Sequence, residues 1–276
     1  MVVLYNGRRT ELEAALGRSY VCPHCGSGSG PKRTGALLVP GTKVLHCFVC
    51  GGNMAVLDGG ERREKKGAPV APAKDYSGYY AEGLRHWKPS AYLVRRGITP
   101  VVQASYGMFE DDGHVVIPLS RWSYLKRALP PCSGNEKVRV GRMGGHFFGL
   151  ETAAKTHPMV PLFVAEGEID AASFSVVTNM QNSVALSSVS RAGAFCELVE
   201  SDGALSGRLF FLAMDNDAPG AAAASLIRER LSAAGCRVEL LRYPGADPND
   251  SLANYRAAFS KAVVEAMSSA PFFLCT

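Results

Sequence analysis

Three groups of acidic residues each stand just after a short apolar run in the second half of the chain. Glu166 follows PLFVA within EGEID, Asp215 and Asp217 follow RLFFLAM as DND, and Asp247 and Asp250 follow RVELLRY within GADPND. Carboxylates gathered at one place repel one another unless a cation sits among them. A hard divalent ion such as Mg²⁺ takes one or two carboxylates together with waters and substrate phosphates. Alternation along DND can send both aspartates to the same side. Asp and Asn also cap helices, which accounts for Asp217 or Asp250 singly but not for three clusters at three strand ends. Gly167 and Gly220 allow close backbone approach at two of these turns.

A different chemistry lies near the start. Cys22 and Cys25 form one Cys-x2-Cys pair, and Cys47 and Cys50 form a second after 21 intervening residues. Each pair fits a tight knuckle, and two knuckles close a tetrahedral four-cysteine zinc site with no open position, hence a structural one. Gly26 and Gly51 stand where such knuckles need a small residue. A redox pair is the competing reading, and two matched pairs favour zinc. His24 and His46 are read as knuckle-loop residues. Cys132, Cys196, Cys236 and Cys275 are scattered singly and need no role beyond packing. The runs ALLV and KVLHCFV suggest a β-ribbon, with Lys32, Arg33 and Lys43 giving it a polyanion-facing side.

The elements that must position the acids follow from the patterning. From Pro161 onward, apolar runs alternate with helical segments: PLFVA, a helix across 169–180, SVALSS, a helix around 192–200, RLFFLAM, the Ala-rich helix opened by Pro219 and stopped by Gly235, RVELLRY, and a last helix over about 252–267. Such alternation implies a mostly parallel sheet covered on both faces. Its ligand crevice forms at the carboxyl ends of the strands, where the acids lie. Upstream, YYAEGLRHW and SAYLVRRG read as short helices, Thr99-Pro100 as a cap and first turn, and Asp112-Gly113 as a hairpin turn. The stretch 122–150 has no clear period.

Composition sets the frame. With 276 residues, 47% hydrophobic and 20% charged, the chain has an ordinary globular composition and is long enough for one large domain or two to three small ones. No apolar run nears the roughly 18 residues a span needs, and MVVLYNGRRTELEAALG is no signal peptide, so a cytoplasmic protein without membrane contact is expected. The net charge of +5 hides a gradient: residues 1–160 carry +10 and residues 161–276 carry −5. A basic front suits a polyanionic partner and an acidic back suits divalent cations. The stretch GGERREKKGAPVAPAK reads as a solvated linker. The expected organisation is a zinc-ribbon domain at 1–58, a linker at 59–78, a basic subdomain at 79–158 and a catalytic domain at 159–276.

FVAEGEIDAASF, LFFLAMDNDAPGAAAA and YPGADPNDSL together resemble a TOPRIM domain, the catalytic module of primases, topoisomerases and some nucleases. The order of zinc ribbon, linker, basic segment with YLVRRGI, VIPLS and EKVRVGRMGGHFFGL, then TOPRIM, resembles bacterial and phage primases of the DnaG type. The resemblance implies a multidomain α/β protein: an N-terminal zinc β-ribbon, a basic α+β subdomain and a TOPRIM parallel-sheet α/β domain. It implies Glu166 as acid/base and metal-facing glutamate, Asp170 as the second acid of that motif, Asp215 and Asp217 as the metal ligands of the DxD motif, and Asp247 as the acid of the third motif. Mg²⁺ or Mn²⁺ would be the catalytic ion. Lys126, Arg127, Lys137, Arg139 and Arg142 would grip template and nucleotide phosphates, Lys137 matching best by position.

Two departures stand out. Cys25, like its counterpart in phage primase–helicases, occupies a place where replicative enzymes usually carry histidine, and Asn249 replaces the last acid of the usual DPD. The expected activity is primer synthesis from nucleoside triphosphates on a single-stranded DNA template. No GxxxxGK[ST] phosphate loop is present, and the segment after TOPRIM is short. A compact phage or mobile-element primase served by a separately encoded helicase or replication initiator is therefore expected. The alternatives are a non-catalytic zinc/TOPRIM DNA-binding protein of recombination or replication, and a TOPRIM nuclease.

Overall fold

The computed structural model describes residues 2–5, 8–13, 19–23, 36–38, 44–47, 53–57, 73–130 and 137–269. The chain divides into two compact units, residues 1–71 and 72–276. In the first unit, β1 (Val2–Tyr5), β2 (Arg8–Glu11), β3 (Ser19–Tyr20), β4 (Ala36–Leu38), β5 (Val44–Cys47) and β6 (Asn53–Val56) form one sheet in the order β2-β1-β6-β5-β4-β3. Every pairing is antiparallel. ALLV and KVLHCFV supply β4 and β5, the expected ribbon, with Leu37 opposite His46. The hairpin of β1 and β2 was not legible from the sequence. Val3, Leu12, Ala36, Leu45 and Met54 are buried together with Cys22 and Cys47.

The second unit opens with α1 (Ser77–Arg85), α2 (Ala91–Arg95) and α3 (Pro100–Ser105). Ser90 and Thr99 cap α2 and α3 through side-chain oxygens that accept from Leu93 and Val102 N–H groups. An antiparallel sheet follows, in the order β10-β9-β8-β7, from β7 (Phe109–Asp111), β8 (His114–Ser120), β9 (Ser123–Ala128) and β10 (Lys137–Gly141). Asp112 and Gly113 both take positive φ, 46° and 68°, as a two-residue hairpin requires. The outer face of this sheet is covered by an aromatic cluster that joins Tyr76, Tyr79, Tyr80 and Trp87 to Phe109 and Tyr124.

After α4 (Leu150–Ala153) the alternation begins: β11 (Leu162–Ala165), α5 (Glu168–Thr178), β12 (Ser183–Ala185), α6 (Ala192–Ser201), β13 (Leu209–Ala213), α7 (Ala218–Ala233) and β14 (Arg237–Leu240). The four strands are parallel, in the order β12-β11-β13-β14. β11 and β13 are buried at every residue, as a sheet covered on both faces demands. Leu162, Val164, Phe210 and Leu212 pack with α6 and α7, while Phe163, Ala165, Phe211 and Ala213 pack on the other face. β14 lies at the edge and is largely exposed.

The expected last helix is two helices, α8 (Pro248–Asn254) and α9 (Arg256–Ser268). Tyr255, at φ −133° and ψ 35°, breaks them apart. The break lets α8 start at the third acidic turn while α9 buries Phe259 and Val263. The second face of the parallel sheet does not end with its own helices. Leu93, Ile98, Val115, Ile117 and Leu125 belong to the same cluster as Phe163, Phe174, Phe211 and Phe259. Ala185 N–H also donates to Phe148 O at 3.1 Å, tying the preceding segment to the edge strand β12.

Candidate active site

Each acidic turn is built by the element that follows it. Ala165 stands opposite Ala213 in the parallel register, so β11 and β13 release the chain at one level. Glu166 leaves β11, Gly167 precedes the first turn of α5, and Asp170 lies within that turn. Asp215 leaves β13, and Asp217 caps α7 by accepting from Gly220 N–H at 2.7 Å. Asp247 caps α8 by accepting from Asp250 N–H at 2.6 Å. The caps that compete with a functional role are therefore real. They hold the carboxylates in place while each spends one oxygen. Two glycines leave room for these turns, Gly220 against backbone and Gly167 against a side-chain oxygen. A Cβ on Gly167 would lie 2.3 Å from Asp170 Oδ2, and one on Gly220 2.2 Å from Asp215 O.

The carboxylates feel one another. Burial, then Asp247 and Asp215, push Asp170 up to about 7. Burial, then Glu166, Asp247 and Asp217, push Asp215 up to about 6, against the pull of Lys137. Glu166 is raised by burial and Asp217, and eased by Lys137 and the Val189 N–H. Like charges sharing a poorly hydrated site produce this pattern. Asp215 Oδ1 is buried with no hydrogen-bond partner among the described residues.

A small cavity of about 100 Å³ is lined by Glu168, Asp170, Asp215 and Asp247 together with Arg96, Arg127 and Lys137. A larger groove of about 550 Å³ borders Asp215 and Asp217 and runs along Leu240, Arg242 and Tyr243. The donor set is all oxygen, charged, mutually repelling and includes an unsatisfied buried atom, which fits a hard divalent cation. Among the described residues, no three His, Cys, Asp or Glu side chains already close into a cage. An ion held here takes few protein ligands, as Mg²⁺ usually does.

The basic residues divide by strand parity. Lys137 stands opposite Arg127, and Arg139 opposite Leu125, across β10 and β9. Lys137 and Arg127 reach the cavity, and Arg139 donates to Ser187 O in the loop after β12. Lys126, one residue away from Arg127, pairs instead with Asp111 at 3.2 Å, beside Tyr79. Arg142 is exposed past the end of β10. Cys22 and Cys47, one from each cysteine pair, are fully buried in one cluster. Cys25 and Cys50 lie outside the described residues, as do His24, Lys32, Arg33 and Lys43. His46 Nδ1 is 2.7 Å from Asn53 Oδ1 on the neighbouring strand.

Three site residues had no role assigned from sequence. Glu168, inside EGEID, is 4% exposed with Oε1 lacking a partner among the described residues. Arg96, inside YLVRRGI, lines the cavity from the end of α2. Tyr243 donates to Met214 O, and burial followed by the surrounding aspartates keeps its hydroxyl protonated. The quoted motif strings contain all three. Only the fold shows that they face the acids.

A family model described as Toprim-like matches residues 163–252, the span that contains all three acidic turns. The primase fragment of the bacteriophage T7 primase–helicase protein matches at 20% identity, with a TM-score of 0.56, over 88% of this chain and 96% of that one. The zinc-binding and RNA polymerase domains of the Aquifex aeolicus primase match at 17% identity, with a TM-score of 0.55, over 95% and 81%. The bacteriophage T7 lagging-strand polymerase structure, which includes primase domains and an RNA/DNA hybrid, matches at 18% identity, with a TM-score of 0.50, over 64% and 90%. Among curated protein sequences nothing matches. Residues 163–252 thus form a Toprim-like domain, and the chain shares the fold of the phage T7 and Aquifex aeolicus primase fragments.

Proposed function

We propose that the protein is a DNA primase that joins nucleotides on single-stranded DNA. The observation that carries this reading is the pairing of a carboxylate cluster with three cations, Arg96, Arg127 and Lys137, around one cavity in a primase fold. When bound at Asp215 and Asp217, with Asp170 and Asp247 beside them, Mg²⁺ or Mn²⁺ supplies charge neutralisation of the triphosphate and a lowered pKa for the attacking 3′-hydroxyl. The chain's own residues do the rest. Glu166, its carboxyl raised by burial and Asp217, is suited to accept a proton or orient water at the reacting centre. Lys137 and Arg127 bind phosphates of the nucleotide, and Arg139 and Arg142 extend that basic track toward the template. Lys126, held by Asp111 on the other face, contacts the nucleic acid only if the strand passes around that edge.

Cys22, Cys25, Cys47 and Cys50 hold one structural Zn²⁺ in the first unit, which reads template sequence. The burial of Cys22 and Cys47 in one cluster supports this. The partners are single-stranded DNA, nucleoside triphosphates, and a helicase or replication initiator of a phage or mobile element in the bacterial cytoplasm.

Primer synthesis tests the reading. Single-stranded DNA, labelled nucleotides and Mg²⁺ or Mn²⁺ should yield short oligonucleotides that vanish in Asp215→Ala. Product that survives this change would sink the mechanism. DNA cleavage would indicate a nuclease, and tight DNA binding without product a replication or recombination accessory protein. Binding through phosphates should weaken steeply with added salt.

A further inference from the structure

Asn249 occupies the place where a third-motif aspartate is expected, and it does not face the ion site. It is 1% exposed, and its side chain joins two elements. Arg96 Nε donates to Asn249 Oδ1 at 2.5 Å, while Asn249 Nδ2 donates to Arg96 O at 2.9 Å and to Ser173 Oγ at 3.0 Å. Its backbone N–H donates to Asp170 Oδ1 at 3.2 Å. One residue thus ties the end of α2, the body of α5 and the start of α8 into a single joint. The backbone is tight at the same place: a Cβ on Gly97 would lie 3.1 Å from Leu252 Cγ.

The charge at this joint is unusual. Arg96 lines the carboxylate cavity, yet its guanidinium is held by the neutral Asn249 amide and by the Tyr92 hydroxyl at 2.9 Å. Among the described residues no carboxylate lies within ion-pair distance of it, and Asp170 and Asp250 feel its charge only from further away. An aspartate at position 249 would put a full negative charge where Oδ1 now meets Nε. It would also remove both amide donors, setting an oxygen against Arg96 O. We propose that Asn249 is a positioning residue whose neutral amide tethers the Arg96 guanidinium at the cavity without cancelling its charge, keeping that cation for a phosphate-bearing ligand. The proposal deepens the primase reading and rests on it for the nature of the ligand.

The test uses the full chain and two readouts. Calorimetric titration with inorganic tripolyphosphate and Mn²⁺ should show binding that weakens on the order of tenfold in Asn249→Asp, the size of one hydrogen bond to a charged group. Arg96→Ala should weaken it at least as much, and the double variant no further, because the two act as one unit. In primer synthesis, Asn249→Asp should raise KM for nucleotide more than it lowers kcat. Thermal melts report folding. Should Asn249→Asp unfold, Arg96→Lys carries the test from the other side, since lysine keeps the charge but has no Nε, and it should lose binding to a similar degree.

Wild-type affinity in the folded variants, losses that multiply in the double variant, or no tripolyphosphate binding by the wild type would each overturn the tether. Primer synthesis by the wild type with no effect of Asn249→Asp on KM would overturn it while leaving the primase reading standing. Absence of primers together with Asn249-dependent tripolyphosphate binding would do the reverse.

Discussion

Asp170 and Asp215 carry the clearest single-residue consequence. Their carboxyls, at about 7 and about 6 against an ordinary 3.8, hold protons in the folded chain that the unfolded chain has already released. Below about pH 4 both states are protonated. Between there and about 7 the folded state binds more protons, so stability falls as pH rises through that window. Metal-free protein should therefore be measurably more resistant to urea at pH 5 than at pH 8, and Asp170→Asn should flatten the dependence. A stability that instead rises with pH would contradict the crowding of these acids. The acids themselves were readable because strand-end carboxylates repeat three times in the sequence. The partition of the cations was not. Lys126 and Arg127 are neighbours in sequence, and only strand parity sends one to Asp111 and the other to the cavity. No local pattern in SYLKRA fixes that parity.

At the scale of elements, the helix caps and the ion site share atoms, and a substitution can separate the two roles. Asp217→Ser and Asp247→Ser keep a side-chain oxygen that can cap α7 and α8, so thermal stability should drop by under about 1 kcal/mol. Both should nonetheless lose the rise in melting temperature that Mg²⁺ or Mn²⁺ gives the wild type. Retention of the metal-induced rise in both would remove these residues from the site. The alternating elements were legible because buried parallel strands read as unbroken apolar runs. Two features escaped. The strand Lys137–Gly141 is almost wholly exposed, so burial left no period in its sequence. The break at Tyr255 has no glycine or proline to announce it, because packing of Phe259, not local propensity, sets where α9 begins.

For the whole molecule, the two compact units should lose structure independently. Among its described residues the first has few buried apolar side chains besides its cysteines, and a bound zinc would add to that core. Metal analysis should find about one zinc per chain, and a strong chelator should abolish a low-temperature transition while leaving the melting of residues 72–276 in place. A single transition insensitive to chelation would refute the four-cysteine assignment. The second unit bears on how such proteins can be recombined. Residues of α2, α3 and the antiparallel sheet interlock with Phe163, Phe211 and Phe259 in one cluster, a relationship between distant segments that no window of sequence displays. A chimera spliced near residue 158, trading only the Toprim-like part for a homologue's, would set two foreign halves of one core against each other. A splice near residue 71 cuts none of those contacts. Exchange of template preference between relatives should therefore be far easier than exchange of catalytic parts.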